Sequence, residues 1–447
     1  MLEKLFHLKK NNTNVKTEIL AGLTTFFAMA YIIFINPIEL GAGTNANMPT
    51  DAVMLSTCLA AVFGTWLIGF LTNYPLAQAP GVGLTAVFAY TLCGSMGLSY
   101  AAALAAVFIA GTFFILLTVT GARKMIVNAI PLSLKKAISA GIGFFIALLG
   151  FVNAGLLSNQ NGTIIGMGSL SNPTALLGLF GLIVGIILVI TKVKAGLFLS
   201  IIITSIAACI MQFVFKVDMG VTVPRSWVPS LDFSLFGDMF GGFGELFSAP
   251  IASIISALIT LMLIDMFDTM GTLIGAADQA GLLDENGNLP KMEPAMLSDA
   301  IATSVGSIMG TSTVTTYVES SAGISAGGRT GLTSFVTGLC FLVSIFLSPV
   351  LGFIPSAAVA PALIIVGVMM ASALKDIAWD NLEEAIPAFM TVFCMPIFYS
   401  ISDGIAFGFI SLVIVKITRG KFKEIHPVMY VVIALFILKY VLTALGF

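Results

Sequence analysis

Apolar stretches of about 20 residues, the length that crosses a bilayer as a helix, recur from Leu20 to Phe447. Polar clusters and Gly/Pro breakers divide the first half into predicted spans at Glu18–Pro37, Ala52–Thr72, Leu76–Gly94, Ser99–Thr120, Ala137–Leu157, Ala175–Ile190 and Ala195–Phe215. The second half predicts Ser248–Ala277, Met296–Met309, Ser312–Ala326, Gly331–Leu351, Ala357–Leu374, Ile386–Ile401, Asp403–Ile417 and Val428–Leu445. The two segments around Asp403 are short. They read as half-helices, or else Val428–Leu445 is an extra terminal helix; Asp403-Gly404 reads as a helix cap. Between the halves, residues 216–247 carry Trp227 and alternate Phe with Asp or Gly, which suits an interfacial amphipathic segment or a plain surface loop.

Two spans break the pattern. The third contains PLAQAPGVGL (Pro75–Leu84) and the tenth contains GTSTVTTYVESSAGISAGG (Gly310–Gly328). Each begins as a polar or Pro/Gly-broken extended stretch, with alternating β-branched residues in the second case, and continues into a short apolar helix. Thr85 and Glu319 stand about half the chain apart. Interrupted segments at matching positions of two halves point to a transporter's binding site, and seven spans per half make the repeats inverted, because an odd number flips the second copy.

Composition fits this reading. The chain is 58% hydrophobic and 9% charged over 447 residues, where soluble domains carry about 25% charged residues. A net charge of −2 supplies no basic surface for nucleic acid. His7 and His426 flank apolar runs, which excludes a histidine metal cluster within the bilayer. The five cysteines fall in apolar segments and read as packing residues. Asp284-Glu285-Asn286-Gly287-Asn288 lacks the ligand spacing of a calcium loop and reads as a turn, so no metal or cofactor is expected. Lys4, Lys9, Lys10 and Lys16 precede the first span, Arg123, Lys124, Lys135 and Lys136 follow the fourth, and Lys192 and Lys194 follow the sixth; the positive-inside rule then predicts a cytoplasmic N-terminus. Met1–Lys16 is polar and basic and runs into the first span without a small-residue cleavage pattern, so no cleavable signal is expected.

Three acids sit where a membrane segment tolerates them least. Asp265 and Asp268 lie inside Ser248–Ala277, and Glu319 lies inside Ser312–Ala326. A carboxylate at bilayer depth costs about 2.5–3.5 kcal/mol even on lenient scales, so such groups bind something, carry a proton or support a site. The i, i+3 spacing of Asp265 and Asp268 puts both on one helix face. Two carboxylates so close repel, and burial disfavours the charged form, so one of them protonated near neutrality suits a proton-coupled carrier. The competing reading, for Asp268 and for Asp265, is a purely structural bond to Thr269, Thr272 or a neighbouring broken helix. Glu319 opens a half-helix whose free N–H groups and dipole favour a polar ligand, or it serves that end as a cap. Gly81-Val82-Gly83-Leu84-Thr85-Ala86 loosely fits a dinucleotide fingerprint but lacks the strand and the acid that the fingerprint needs. It reads as close backbone approach to a ligand, with the Thr85 hydroxyl on offer, or as helix packing through small residues. Arg329 reads as an interfacial anchor.

AGLTTFFAMAYIIFINP (Ala21–Pro37), QAPGVGLTAVFAYT (Gln78–Thr91), DMFDTMGTLIGAADQAGLLDENG (Asp265–Gly287) and TSTVTTYVESSAGISAGGRTGLTS (Thr311–Ser334) together resemble the AzgA-like purine permeases of the nucleobase–ascorbate, or nucleobase:cation symporter 2, superfamily. The resemblance runs from Glu18 to Ile417. It implies an all-α polytopic protein of fourteen helices in two inverted repeats of seven, with two broken helices bearing short strands at the third and tenth segments. After a cytoplasmic segment 1–17, a core domain (18–120 and 248–352) and a gate domain (121–247 and 353–447) are expected. It implies proton-coupled, elevator-like uptake of adenine, guanine or hypoxanthine across the plasma membrane, often as a homodimer. In the family pattern, acids matching Asp265 and Glu319 hold the purine, the match to Asp268 affects transport, and Gly83 and the Thr85 position line the facing side. Where the family commonly has Asn, this chain has Thr85, which is shorter and lacks the amide, so substrate preference or affinity is expected to differ.

The residues themselves agree with that picture, because carboxylates accept from purine N–H donors and a site so built discriminates against analogues lacking them. Glu319 and Asp265 are expected to contact the base, Ser320 and nearby amides to assist, Asp268 to relay the proton, and Tyr317 or Phe267 to flank the ring. Rival readings are a uracil or xanthine carrier or an anion transporter on the same fold, and a cation channel. An intramembrane aspartyl protease would need a G-x-G-D motif, and Leu84 follows Gly83.

Overall fold

The structure, a computed structural model, describes residues 2–444 apart from 122–129, 159–165, 194, 225–226, 230, 281 and 283–288. Arg123, Lys124, Lys194, the Asp284–Asn288 turn and the Phe267 side chain therefore lie outside the described residues. The fold is mostly helical. Among the described residues, nine helices are long and apolar enough to cross a membrane. The acid-bearing helix Ile251–Ala280 runs for 30 residues. The chain around Asp403 forms a whole 18-residue helix, Ile401–Thr418, rather than a half-helix. Its cap is Ser400, whose hydroxyl accepts from the Asp403 amide at 3.2 Å, and Asp403 occupies the first turn, where the helix dipole favours an anion. Part of the stretch 216–247 forms the helix Asp238–Ser248. Its Glu245 accepts from the Ser99 amide at 2.8 Å and the Ser99 hydroxyl, which holds the carboxyl below the usual carboxylate range and docks it at the start of Tyr100–Val119.

The helices pack in two groups. Thr50–Thr72, Tyr100–Val119, Met292–Met309 and Gly331–Ser344 contact one another, while Leu132–Asn153, Pro173–Ile190, Gly196–Phe213, Ser356–Ala371, Leu382–Ile397 and Ile401–Thr418 form a second set. Small residues bring backbones together in the second set: a Cβ on Gly143 would stand 2.6 Å from the Met370 Cβ and 2.8 Å from the Gly367 carbonyl oxygen, the close approach that membrane helices use for dispersion contact.

At the heart of the first group the backbone leaves the helix. Gln78–Pro80 and Val314–Thr316 form an antiparallel pair in the register Gln78↔Thr316, Ala79↔Thr315, Pro80↔Val314. It is extended by Gly81 N–H to Thr313 O at 3.0 Å and Tyr317 N–H to Ala77 O at 2.9 Å. Each strand leads into a short helix, Val82–Ala86 and Ser320–Ser325. All six strand residues are buried, so their polar backbone must be satisfied by protein.

Buried side chains complete that satisfaction. The Gln78 amide donates to Thr316 at 3.1 Å and accepts from Ser298 at 3.2 Å. Asn36 donates to Thr57 and Thr311 at 2.7 and 3.0 Å and accepts from Thr85 at 2.7 Å. The Thr85 hydroxyl also pairs with Ser312 at 2.7 Å, so it bridges the two strand–helix units. At their far end Glu18, fully buried, caps another helix in trans: its carboxylate accepts from the amides of Arg329, Thr330 and Thr333 and from the Thr333 hydroxyl at 2.6 Å. These amides precede or begin Gly331–Ser344, whose first N–H groups have no partner within the helix.

Glu18→Ala orphans that set and is expected to cost about 3 kcal/mol, read as a lower Tm of detergent-purified protein, with Glu18→Gln milder because one acceptor oxygen survives. Thr85→Val, near-isosteric, strips partners from Asn36 and Ser312. It should lower stability by about 1–3 kcal/mol, and an unchanged melting transition would remove the bridging role.

Candidate functional site

Between the two groups lies a cavity of about 1030 Å³. Tyr31, Gly81, Gly83, Asp268 and Thr315–Glu319 form one wall; Leu132, Lys135, Ile142, Val366 and Met370 face them. Polar chemistry concentrates on the first wall, where the strand pair and the start of Ser320–Ser325 meet the Ile251–Ala280 helix.

Glu319 sits at the N-terminal boundary of Ser320–Ser325 with φ −60° and ψ −16°, and its side chain makes no capping bond. A capping residue uses extended backbone to fold its side chain over the helix end; here the helical backbone turns the carboxylate outward instead. Its Oε1 accepts from the Tyr31 hydroxyl at 2.5 Å. Asp268 lines the same cavity, close enough to interact electrostatically with Glu319. The Thr269 and Thr315 hydroxyls pair at 2.9 Å and fix the Asp268-bearing turn to the strand.

Asp265 is fully buried and does not line the cavity. Residues three apart on a helix differ by about 60° in direction. That suffices for Asp268 to face the cavity while Asp265 points into the packing. Thr85 is likewise fully buried, away from the lining, with its hydroxyl engaged by Asn36 and Ser312. Ser320 is buried too, and its hydroxyl accepts from the Ala77 amide at 3.0 Å, tying the short helix to the first strand. Tyr317 lines the cavity, donates its hydroxyl to the Pro80 carbonyl at 2.5 Å, and lies 6.3 Å from the Tyr31 ring at a 43° tilt. Gly83 also lines it. A Cβ there would stand 2.7 Å from Ile142 Cγ2, so this glycine is what lets the short helix approach Leu132–Asn153.

Tyr31 is a lining residue that sequence reasoning missed. Its signal was present: a tyrosine hydroxyl inside the apolar run AMAYIIF needs an acceptor, and the acceptor is Glu319. Lys135, read from the sequence only as part of the charge bias, and Thr315, read only as part of an extended stretch, also reach the cavity. Among the described residues no group of three His, Cys, Asp or Glu side chains converges as a metal site.

The permease family model matches residues 16–407. Over 441 residues the chain is 41% identical to adenine permease AdeP of Escherichia coli (strain K12), covering 99% of this chain and 96% of that protein. Over 449 residues it is 41% identical to guanine/hypoxanthine permease PbuG of Bacillus subtilis (strain 168), covering 98% and 99%. In fold it is similar to the transmembrane domain of a cyanobacterium bicarbonate transporter, BicA, with a TM-score of 0.64 at 17% identity over 88% of this chain and 97% of that one. With a match over most of its length and relatives this similar from end to end, the chain belongs to the permease family, as the motifs around Asp265 and Glu319 imply.

Proposed function

We propose that this protein carries a purine nucleobase (adenine, guanine or hypoxanthine) across the plasma membrane together with protons. The observation that carries the reading is the presence of both Glu319 and Asp268 in the lining of a large cavity inside an apolar helix bundle. Purines present ring and exocyclic N–H donors; two carboxyls can accept them, and the tilted Tyr31–Tyr317 pair offers a flat apolar flank. The names of the relatives, an adenine permease and a guanine/hypoxanthine permease, support the same substrate class. The two acids stand on the strand wall and Lys135 and Lys136 on the facing wall, so it is the placing of the acceptors beside the tyrosine pair that favours a neutral ring bearing N–H donors.

In this reading Glu319 is the principal acceptor, and the Tyr31 hydroxyl that donates to it holds its carboxylate at the cavity wall. Asp268 is the second acceptor and the proton carrier, since two carboxyls sharing a cavity cannot both stay ionised without repulsion. Asp265, one turn away in the packing, supports that helix face and its protonation. Thr85 and Ser320 act from behind, by holding the strands. The two strand–helix units correspond to the broken helices of two inverted seven-span repeats. The first packing group, within 18–120 and 248–352, is the core, and the second, within 121–247 and 353–447, is the gate.

Alternating access by an elevator motion of core against gate is supported by an asymmetry of Leu132–Asn153. Near its start Lys135 lines the cavity. At its end Asn153 donates to Glu39 at 2.9 Å, and Glu39 also accepts from Tyr90 at 2.8 Å, so that end is closed by a polar clasp between the groups. The lysine-bearing end is cytoplasmic by the charge bias, along with the N-terminus, and homodimerisation is the family expectation.

In proteoliposomes with an inward proton gradient, labelled adenine, guanine or hypoxanthine should accumulate in preference to uracil. Glu319→Gln should lower uptake efficiency roughly ten- to hundredfold, the value of one charge-assisted hydrogen bond of about 1.5–3 kcal/mol; gradient-driven purine uptake that survives this change intact would falsify the assignment of Glu319. Asp268→Asn is expected to keep purine counterflow, since its amide oxygen still accepts, while losing gradient-driven accumulation; accumulation that survives the change would move the proton to another group.

A further inference from the structure

A second, smaller pocket of about 200 Å³ lies outside the transport cavity. Four segments build it: His7 and Lys10 from the N-terminal stretch, Asn73 and Tyr74 after the span Thr50–Thr72, Lys291 before Met292–Met309, and Arg329 before Gly331–Ser344. It therefore sits where membrane-crossing helices end, at the boundary between bilayer and water.

Its walls are fixed rather than loose. The Lys291 amide donates to the Tyr74 hydroxyl at 3.2 Å, and its Nζ donates to the Thr72 carbonyl at 2.7 Å. The Asn73 side chain donates to the Phe6 carbonyl at 2.9 Å and accepts from the Gly331 amide at 3.0 Å, and the Phe6 ring stacks on Phe70. Those contacts dock the N-terminal stretch against the spans and bring His7 and Lys10 to the pocket. Arg329 spends Nη1 on the Ile324 and Gly328 carbonyls at 2.8 and 2.6 Å, closing the C-terminal end of the short helix whose other end presents Glu319.

Among the described residues no acidic side chain lines this pocket, and none of His7, Lys10, Lys291 and Arg329 is in an ion pair. Three cations gathered beside an imidazole from separate parts of the chain repel one another, and an anion among them relieves that repulsion. Basic pockets among membrane helices at this depth suit phosphorylated headgroups, and the space admits a phosphate with bridging water. We propose that this pocket binds a phosphate-bearing ligand, either an anionic lipid headgroup or a soluble phosphate ester. Because Arg329 caps the helix that begins beyond Glu319, an occupant there also steadies one wall of the transport cavity. The binding proposal does not depend on the identity of the transported substrate.

The test is thermal unfolding of the full chain in detergent, titrated with short-chain phosphatidylglycerol, short-chain phosphatidylcholine and glycerol phosphate. A ligand that binds the folded state raises Tm with concentration. Phosphatidylglycerol should do so and phosphatidylcholine should not. A parallel rise with glycerol phosphate assigns a soluble ester, and its absence assigns the lipid. His7→Gln/Lys10→Gln removes two exposed side chains and should leave the ligand-free Tm in place while weakening the apparent Kd roughly tenfold or more. Arg329→Lys, which keeps the charge but loses the planar fork, should weaken it as well. No shift with phosphatidylglycerol, an equal shift with phosphatidylcholine, or native affinity in the double variant overturns the proposal.

Discussion

Extended backbone at membrane depth has to be hydrogen-bonded by protein, and the antiparallel pair Gln78–Pro80 with Val314–Thr316 is how this chain meets that demand. Neither strand could stand alone in the bundle, because each carries N–H and C=O groups that hydrocarbon cannot satisfy. Pairing across the two halves solves this for both at once. The consequence is local precision. Gly81, Gly83, Tyr317 and Glu319 are delivered to one cavity wall because their strands are locked in register, and Gln78, Thr85, Ser312 and Ser320 are spent on locking it.

That division of labour explains which polar residues face the cavity. Hydroxyls and amides can be buried because protein partners satisfy them: Thr85 has Asn36 and Ser312, and Gln78 has Thr316 and Ser298. Glu319 accepts from the Tyr31 hydroxyl and from its own backbone amide and otherwise opens onto the cavity. A carboxylate with capacity left over, at the mouth of a half-helix, is poised to take an incoming donor. Glu18 is the contrasting case. Its carboxylate is saturated by three amides and a hydroxyl and is an organising group, though sequence position alone would rank it with the other acids.

Much of the fold was legible in the hydropathy pattern because bilayer length and breaker residues leave few choices. Most predicted span limits fall within a few residues of the observed helices, and the interrupted third and tenth segments hold the strand pair Gln78–Pro80 with Val314–Thr316. Where the reading went astray, tertiary context decided. The segments around Asp403 are short by hydropathy, which left half-helices or an extra terminal helix open, yet Ser400 caps a full helix and Asp403 is absorbed in its first turn. Within the site, the expected contact set was read from residue type. Which of those residues face outward depends on rotations of some tens of degrees that no spacing rule resolves, as Asp265 and Asp268 illustrate.

By itself the sequence determined that this is a polytopic membrane protein of the permease family, and it marked Asp265, Asp268 and Glu319 as acids set in apolar segments. Those properties follow from length, hydropathy and local motif, each written in contiguous residues. Only the tertiary structure decided that Tyr31 shares Glu319, that Thr85 works as a bridge in the packing rather than in the cavity lining, and that the N-terminal stretch folds back to bring His7 and Lys10 beside Lys291 and Arg329. Each of these joins residues far apart along the chain, and such contacts exist only once the helices have packed.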